Sequence, residues 1–186
     1  MNIIDFENIN VGYDEKIILK NITLKIKEKE HWAILGANGS GKSTLMKLIQ
    51  SEIHPRKTNP YKKEILGKAT YSIFELKKDL GIITNDLHNY FATHGNFLTG
   101  YITVLSGHYS SIGVFKHQDF TPEQHEKAKQ TMKFLEIEHL TDKYVEEMST
   151  GELRKCIVAR ALIHEPKAFV LDEPTVGLDI KAQINF

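Results

Sequence analysis

The stretch Gly36-Ala37-Asn38-Gly39-Ser40-Gly41-Lys42-Ser43, followed by Thr44, decides how the rest of the chain is read. It carries the spacing G-x-x-x-x-G-K-[ST], that of a loop which cradles phosphates. Gly36, Gly39 and Gly41 admit backbone conformations that a Cβ would bar, so successive N–H groups can converge on phosphate oxygens. Lys42 supplies a point charge for the β- and γ-phosphates, and the Ser43 hydroxyl can sit on Mg²⁺. The flanks agree. Ahead of the loop, the apolar run Trp32-Ala33-Ile34-Leu35 predicts a short buried strand. Behind it, Ser43-Thr44-Leu45-Met46-Lys47-Leu48-Ile49-Gln50 has helical spacing. It predicts a helix running towards Ile53 and stopping before Pro55. A strand–loop–helix unit seats an anion on a helix N-terminus, where unpaired N–H groups and the helix dipole favour negative charge.

Length and composition bound the alternatives. The 186 residues suffice for one domain with a sizeable core, and 41% hydrophobic content suits a globular chain. Lys plus Arg and Asp plus Glu are 24 each, so bulk positive charge gives no support for nucleic-acid binding. No apolar run is long enough to span a bilayer. Met1-Asn2-Ile3-Ile4-Asp5-Phe6-Glu7 lacks the basic-then-apolar pattern of a signal peptide. The single cysteine, Cys156, reads as a small core residue of a reduced, cytosolic protein.

Residues 2–34 alternate as antiparallel strands do, broken by Gly12 and by charged turns, and lead into the strand before the phosphate loop. Tyr13 falls in a turn of this region. Taken alone it reads as a ring packed at a strand end; stacking on a purine base is the alternative. Residues 54–70 read as a polar connection. Leu80-Gly81-Ile82-Ile83-Thr84 predicts a second short strand, ending in Asn85-Asp86. Residues 87–120 show no clean period, and their histidines (His88, His94, His108, His117) lack ligand spacing. Thr121-Pro122-Glu123-Gln124 opens a helix through a capping box, with Ala128, Met132 and Leu135 on one face. Ser149-Thr150-Gly151-Glu152 opens another, which carries Leu153, Cys156, Ile157, Ala161, Leu162 and Ile163 and ends at Glu165-Pro166. Then Ala168-Phe169-Val170-Leu171 predicts a buried strand that delivers Asp172-Glu173. A parallel strand brings its C-terminal end to the sheet edge that bears the phosphate loop. Asp172 is placed to hold Mg²⁺ opposite Ser43, and Glu173 to orient and deprotonate a water for attack on the γ-phosphorus.

At this point a family resemblance emerges. Met148-Ser149-Thr150-Gly151-Glu152-Leu153-Arg154-Lys155 resembles the signature motif of ABC-type ATPases. Phe169-Val170-Leu171-Asp172-Glu173-Pro174-Thr175 is similar to that family's second nucleotide motif and catalytic glutamate, and Gly177-Leu178-Asp179 to the loop that follows it. Leu105-Ser106-Gly107-His108 is a decoy for the signature: it lacks the following acidic or amide residue and does not precede the strand bearing Asp172. The resemblance implies an α/β fold of the P-loop NTPase class, with a mixed or parallel sheet, an N-terminal antiparallel β subdomain and an inserted helical subdomain. It places the core at residues 1–87 and 156–186 and the helical subdomain at 88–155. Leu80–His88 and Ile102–Phe115 most resemble the soluble molybdate-importer type.

The resemblance also implies roles. ATP and Mg²⁺ are the expected cofactors. Gly36, Ala37, Asn38, Gly39, Ser40, Gly41, Lys42, Ser43 and Thr44 would hold the phosphates, and Tyr13 would stack on adenine. Ser149, Thr150, Gly151 and Glu152 would contact the nucleotide held by a partner domain, and Asp179 would contribute from the loop after the glutamate. Ser43, Asp172 and Asn85 would hold the metal, while Glu173, Lys42 and Asn85 would serve the chemistry. Asn85 stands where the family has a glutamine, one methylene longer. The expected partners are a second ATPase domain in a head-to-tail dimer and transmembrane permease subunits. The expected location is cytoplasmic, peripheral on the inner face of the cell membrane, with no nucleic acid. Only seven residues, Ile180 to Phe186, follow Asp179. The family's next strand, ending in a switch histidine, has no counterpart, so the resemblance implies a C-terminally incomplete chain that retains nucleotide binding with weak or absent steady hydrolysis. The functions left standing are the energising subunit of an ABC transporter, a soluble ABC-type ATPase without a membrane partner, and a hydrolysis-deficient nucleotide-binding fragment.

Overall fold

In the computed structural model, which describes residues 1–173, the chain begins as a long antiparallel hairpin. Asn2–Tyr13 (β1) pairs with Lys16–Lys27 (β2). The turn closes only on glycine: a Cβ on Gly12 would lie 2.1 Å from the Lys16 carbonyl oxygen. Asn8 and Asn21 take left-handed backbone angles along the hairpin, a conformation asparagine tolerates. Asn10 Oδ1 steadies one of them by accepting the Asn21 N–H at 2.8 Å. Lys62–Ile65 (β3) adds to the free edge of β1, giving the order β2-β1-β3, all antiparallel. The polar connection expected over 54–70 therefore contains a strand. Its residues are mostly charged, so no apolar alternation announces it; pairing with β1 makes it, and Ile65 is buried on it.

Lys42–Ile49 (α1) follows the phosphate loop and buries Leu48 and Ile49 in the same unit, whose core includes Phe6, Ile9 and Ile65. The helix stops earlier than expected. Ser51 turns left-handed at φ 59°, and the Glu52 N–H bonds back to the Lys47 carbonyl at 2.9 Å, ending the helix before Ile53. A second correction falls ahead of the loop. Trp32–Leu35 is not a strand; Trp32 is 55% and Leu35 91% exposed. A strand is made by its ladder partners rather than by its own composition. Among the described residues none pairs with this run.

The chain divides into two compact units, Met1–Leu76 and Lys77–Phe186, within Ile73–Asp79 (α2). The second unit holds Leu80–Thr84 (β4) paired in parallel with Ala168–Asp172 (β5), as expected of both runs. Around this pair stand the helices Asn85–His94 (α3), Gly100–Leu105 (α4), Pro122–Phe134 (α5) and Thr150–Leu162 (α6). Residues 87–120 looked aperiodic because they fold as two short helices and a 3-10 turn in different phases. The decoy fragment lies in that turn: Ser106 is fully buried and its hydroxyl donates to the Thr103 carbonyl at 2.7 Å.

One core gathers Val104, Leu105, Ala128, Met132, Cys156 and Ala159 among others. The next gathers Ile83, Phe91, Leu98, Val145, Leu153 and Ile157. Cys156 is buried, and burial pushes its thiol up to about 12, which leaves it inert at neutral pH. β5 is less buried than its apolar run suggests. Only Val170 is buried, while Phe169 and Leu171 stay 43% exposed, because β5 pairs with β4 alone among the described residues. An antiparallel three-stranded sheet, a parallel pair and the helices make the chain α/β.

Candidate nucleotide site

The phosphate loop is assembled from backbone geometry. Gly39 and Gly41 take φ of 78° and 96°, angles that side chains rarely adopt. Gly36 lies so close to Ser40 that a Cβ would meet the Ser40 hydroxyl at 2.7 Å. One internal bond, Ser40 N–H to the Ala37 carbonyl at 3.2 Å, shapes the turn. The Lys42 ammonium folds back over the loop and donates to the Gly36 and Ala37 carbonyls at 2.8 and 3.0 Å.

Helix α1 starts without a cap. Its N-cap is Gly41, which has no side chain to accept the first-turn N–H groups, and no acidic residue stands in that turn. The first helical bond is Leu45 N–H to the Gly41 carbonyl at 2.9 Å, so the N–H groups of Lys42, Ser43 and Thr44 precede the ladder. Ser43 is exposed. This is the arrangement an anion takes: unpaired N–H groups, a positive dipole end and a nearby ammonium. Tyr13, in the same unit, ends β1 with its ring 48% exposed. It is therefore not packed away at the strand end and presents a face on which a planar base can stack.

In the second unit, the register of the parallel pair sets Thr84 beside Asp172. The residues that follow, Asn85 and Glu173, then meet at the C-terminal ends of both strands. Asn85 Nδ2 donates to Glu173 Oε2 at 3.2 Å. Asn85 Oδ1 accepts from Arg154 Nη2 at 2.7 Å. Only this amide orientation satisfies both neighbours, since guanidinium can only donate and carboxylate can only accept. Glu173 sits at φ 49°, a left-handed angle uncommon for a residue with a side chain, and it is exposed. Asp172 is half-buried at the strand end.

Arg154 was not singled out by the sequence reading. It is 1% exposed and lies on α6, and burial lowers its pKa. The available signal was periodicity. Arg154 sits one turn before Ile157 and two before Ala161, on a face that otherwise reads apolar. His88 on α3 is buried too. Burial and the Arg154 charge lower its pKa, while a hydrogen bond with the Thr150 backbone works against them.

The start of α6 contrasts with that of α1. Ser149 Oγ accepts the Glu152 N–H at 3.3 Å, and Glu152 Oε2 accepts the Ser149 N–H at 2.7 Å. Lys143 then holds both carboxylate oxygens of Glu152 at 2.9 Å. With these partners, Lys143 first and the Ser149 backbone next, the Glu152 carboxyl is drawn down to about 2. The Glu152 side chain is thus committed to structure. Ser149 and Thr150 are exposed, and Gly151 and Glu152 are half-buried. Asp179, with Pro174, Thr175, Gly177 and Leu178, lies outside the described residues.

Residues 19–176 match the sequence profile of a single family, described as ABC transporter. The chain belongs to the ABC transporter family. An uncharacterized ABC transporter ATP-binding protein of Methanocaldococcus jannaschii is 34% identical over 181 residues, covering 96% of this chain and 59% of that protein. The ABC transporter ATP-binding protein ModF of Escherichia coli is 33% identical over 175 residues, covering 91% of this chain but 34% of ModF. The likeness to ModF is therefore partial, and this ABC chain spans less than two-thirds of either relative. The solved structure of cbiO1 from Clostridium perfringens, part of the ABC transporter complex cbiONQ, superposes with a TM-score of 0.78. It shares 29% identity and covers 99% of this chain and 70% of its own length. The P-loop NTPase fold of ABC ATPases is thereby shown.

Proposed function

We propose that this chain is the ATP-binding part of an ABC transporter, and that it binds and hydrolyses ATP as a head-to-tail pair with a second such domain. One observation carries the reading: an uncapped helix start, behind left-handed glycines, with Lys42 folded over it. Gly36 to Thr44 take the phosphates, and Tyr13 stacks on adenine. Ser149, Thr150 and Gly151 address the γ-phosphate held by the partner domain, while Glu152 fixes that turn rather than touching nucleotide. Asp179 acts in the same loop as the family's counterpart. Residues 1–87 and 156–186 form the nucleotide-binding core and 88–155 the helical subdomain.

Ser43 in the first unit and Asp172 in the second each offer an oxygen donor of the kind Mg²⁺, a hard cation, takes. A bound metal would neutralise charge on the β- and γ-phosphates. Asn85 has less to offer a metal, because its Oδ1 already accepts from Arg154. Its role is to hold the Glu173 carboxylate, with Arg154 behind it as a positioning residue. Glu173 orients the attacking water and takes its proton.

No helix among the described residues is long and apolar enough to cross a membrane, so the permease is assigned to other segments or subunits. The experiment is Glu173→Gln with MgATP, read by size-exclusion chromatography. The variant should form a long-lived dimer that nucleotide-free protein does not. A variant that stays monomeric at saturating MgATP would overturn the paired mechanism. Co-purification with membrane subunits tests the transport role separately.

A further inference from the structure

The first unit holds a second polar site, away from the phosphate loop in sequence and built on different elements. Strand β3 places Lys62 and Glu64 on one face and Lys63 and Ile65 on the other. Lys62 is neutralised in place: its ammonium meets Asp5 at 2.7 Å and Glu64 at 3.2 Å. Lys63 points to the side where Ile65 is buried, and it forms no ion pair among the described residues. Its ammonium instead reaches Ser51 Oγ at 2.8 Å, and Ser51 Oγ lies 2.9 Å from the Tyr71 hydroxyl. Ser51 is the residue held left-handed at the end of α1. These three groups line an open pocket of about 700 Å³, together with His54, Tyr61 and Thr70.

We infer that Lys63 is a reactive amine that accepts acyl groups from small anionic acyl donors, of which an acyl phosphate is the simplest. A charged lysine is no nucleophile; the neutral amine is. Burial without a counter-ion draws Lys63 down to about 8, whereas an ordinary lysine sits near ~10.4 and is almost wholly charged at neutral pH. The titratable groups around it are Tyr71, His54 and Tyr61 in the pocket and Lys62 and Glu64 on β3; none of them forms an ion pair with it. The hydroxyl chain suits both states of the amine. Charged Lys63 donates to Ser51, and neutral Lys63 accepts from it, with Tyr71 donating in turn. Lys63 attracts an anionic donor to the pocket in its charged form and attacks in its neutral form.

In the reaction, Lys63 Nζ attacks the acyl carbon of the acyl phosphate. The N–C bond forms, and the C–O bond to phosphate breaks. Phosphate leaves with the electron pair, and the surplus Nζ proton passes to it through the Ser51 hydroxyl. The products are an amide at Lys63 and hydrogen phosphate.

The test treats the folded protein with acetyl phosphate at a series of pH values and follows each lysine by site-resolved mass spectrometry. At about pH 7.5, Lys63 should be acetylated roughly tenfold faster than the exposed Lys57 and Lys68. Its rate should level off above about pH 8 while theirs still climb. In concentrated urea the preference should vanish. Equal rates in the folded protein, a Lys63 rate without that plateau, or a preference that survives urea would each overturn the inference.

Discussion

Two helix starts in this protein receive opposite treatment. α6 opens on Ser149 with both arms of a capping box closed, and Lys143 braces the box from outside. α5 opens in the same way on Thr121, and α3 and α4 each have a threonine hydroxyl accepting from the first turn. α1 opens on Gly41 with nothing. A chain that caps its helices this consistently has the means to cap α1 as well. Leaving that start to glycine costs some stability, about a few tenths of a kcal/mol against a side-chain cap. The bareness is what lets an external anion act as the cap. The phosphate loop is thus defined by backbone and one ammonium, and the signature turn by side chains that satisfy one another.

The largest expected effect comes from removing that ammonium. Lys42→Ala should weaken nucleotide binding about a hundredfold, or ~2.7 kcal/mol, with little change in unfolding, measured by equilibrium titration and urea denaturation. An unchanged affinity would mean the bare helix start alone holds the phosphates. Gly41→Ala comes next. The new Cβ must sit at φ 96° and would lie 2.8 Å from Leu19 Cδ2. The variant should lose about 1–2 kcal/mol of stability and roughly tenfold in nucleotide affinity.

The smallest effect belongs to the capped start. Glu152→Ala should cost about 1 kcal/mol in urea unfolding and leave a single chain's nucleotide affinity unchanged. Its contribution should also depend on pH in a definite sense. The Glu152 carboxyl is depressed in the folded state, so its stabilisation is complete above its unfolded value of ~4.3 and disappears as pH falls towards about 2. Wild type and the alanine variant should therefore converge in stability across that acid window. Divergence there would remove Lys143 and the box from the account.

What the sequence made legible follows the range of the interactions concerned. The starts of α5 and α6 were readable because a capping box is closed within four consecutive residues, Thr121 to Gln124 and Ser149 to Glu152. The parallel strands β4 and β5 were readable because each is an apolar run of ordinary strand length. β3 was not, because Lys62-Lys63-Glu64 becomes a strand only through its pairing with Phe6 and its neighbours. Trp32–Leu35 failed in the opposite direction: apolar composition without a ladder partner among the described residues. At the site, the phosphate loop was legible as a motif, yet the Arg154–Asn85–Glu173 chain was not. It joins residues 69 and 88 positions apart, and no local pattern records that distance.

The position of Lys42 has a thermodynamic consequence. Its ammonium already has two carbonyl partners, Gly36 and Ala37. A phosphate arriving at the loop therefore exchanges bonds rather than adding them. Lys42 trades neutral acceptors for a charged one, and the released carbonyls, on exposed residues, turn to water. The heat of nucleotide binding at this lysine is a difference between two filled states, smaller than the count of new contacts would suggest. Binding also frees the loop from its own side chain at the moment the ligand begins to order it.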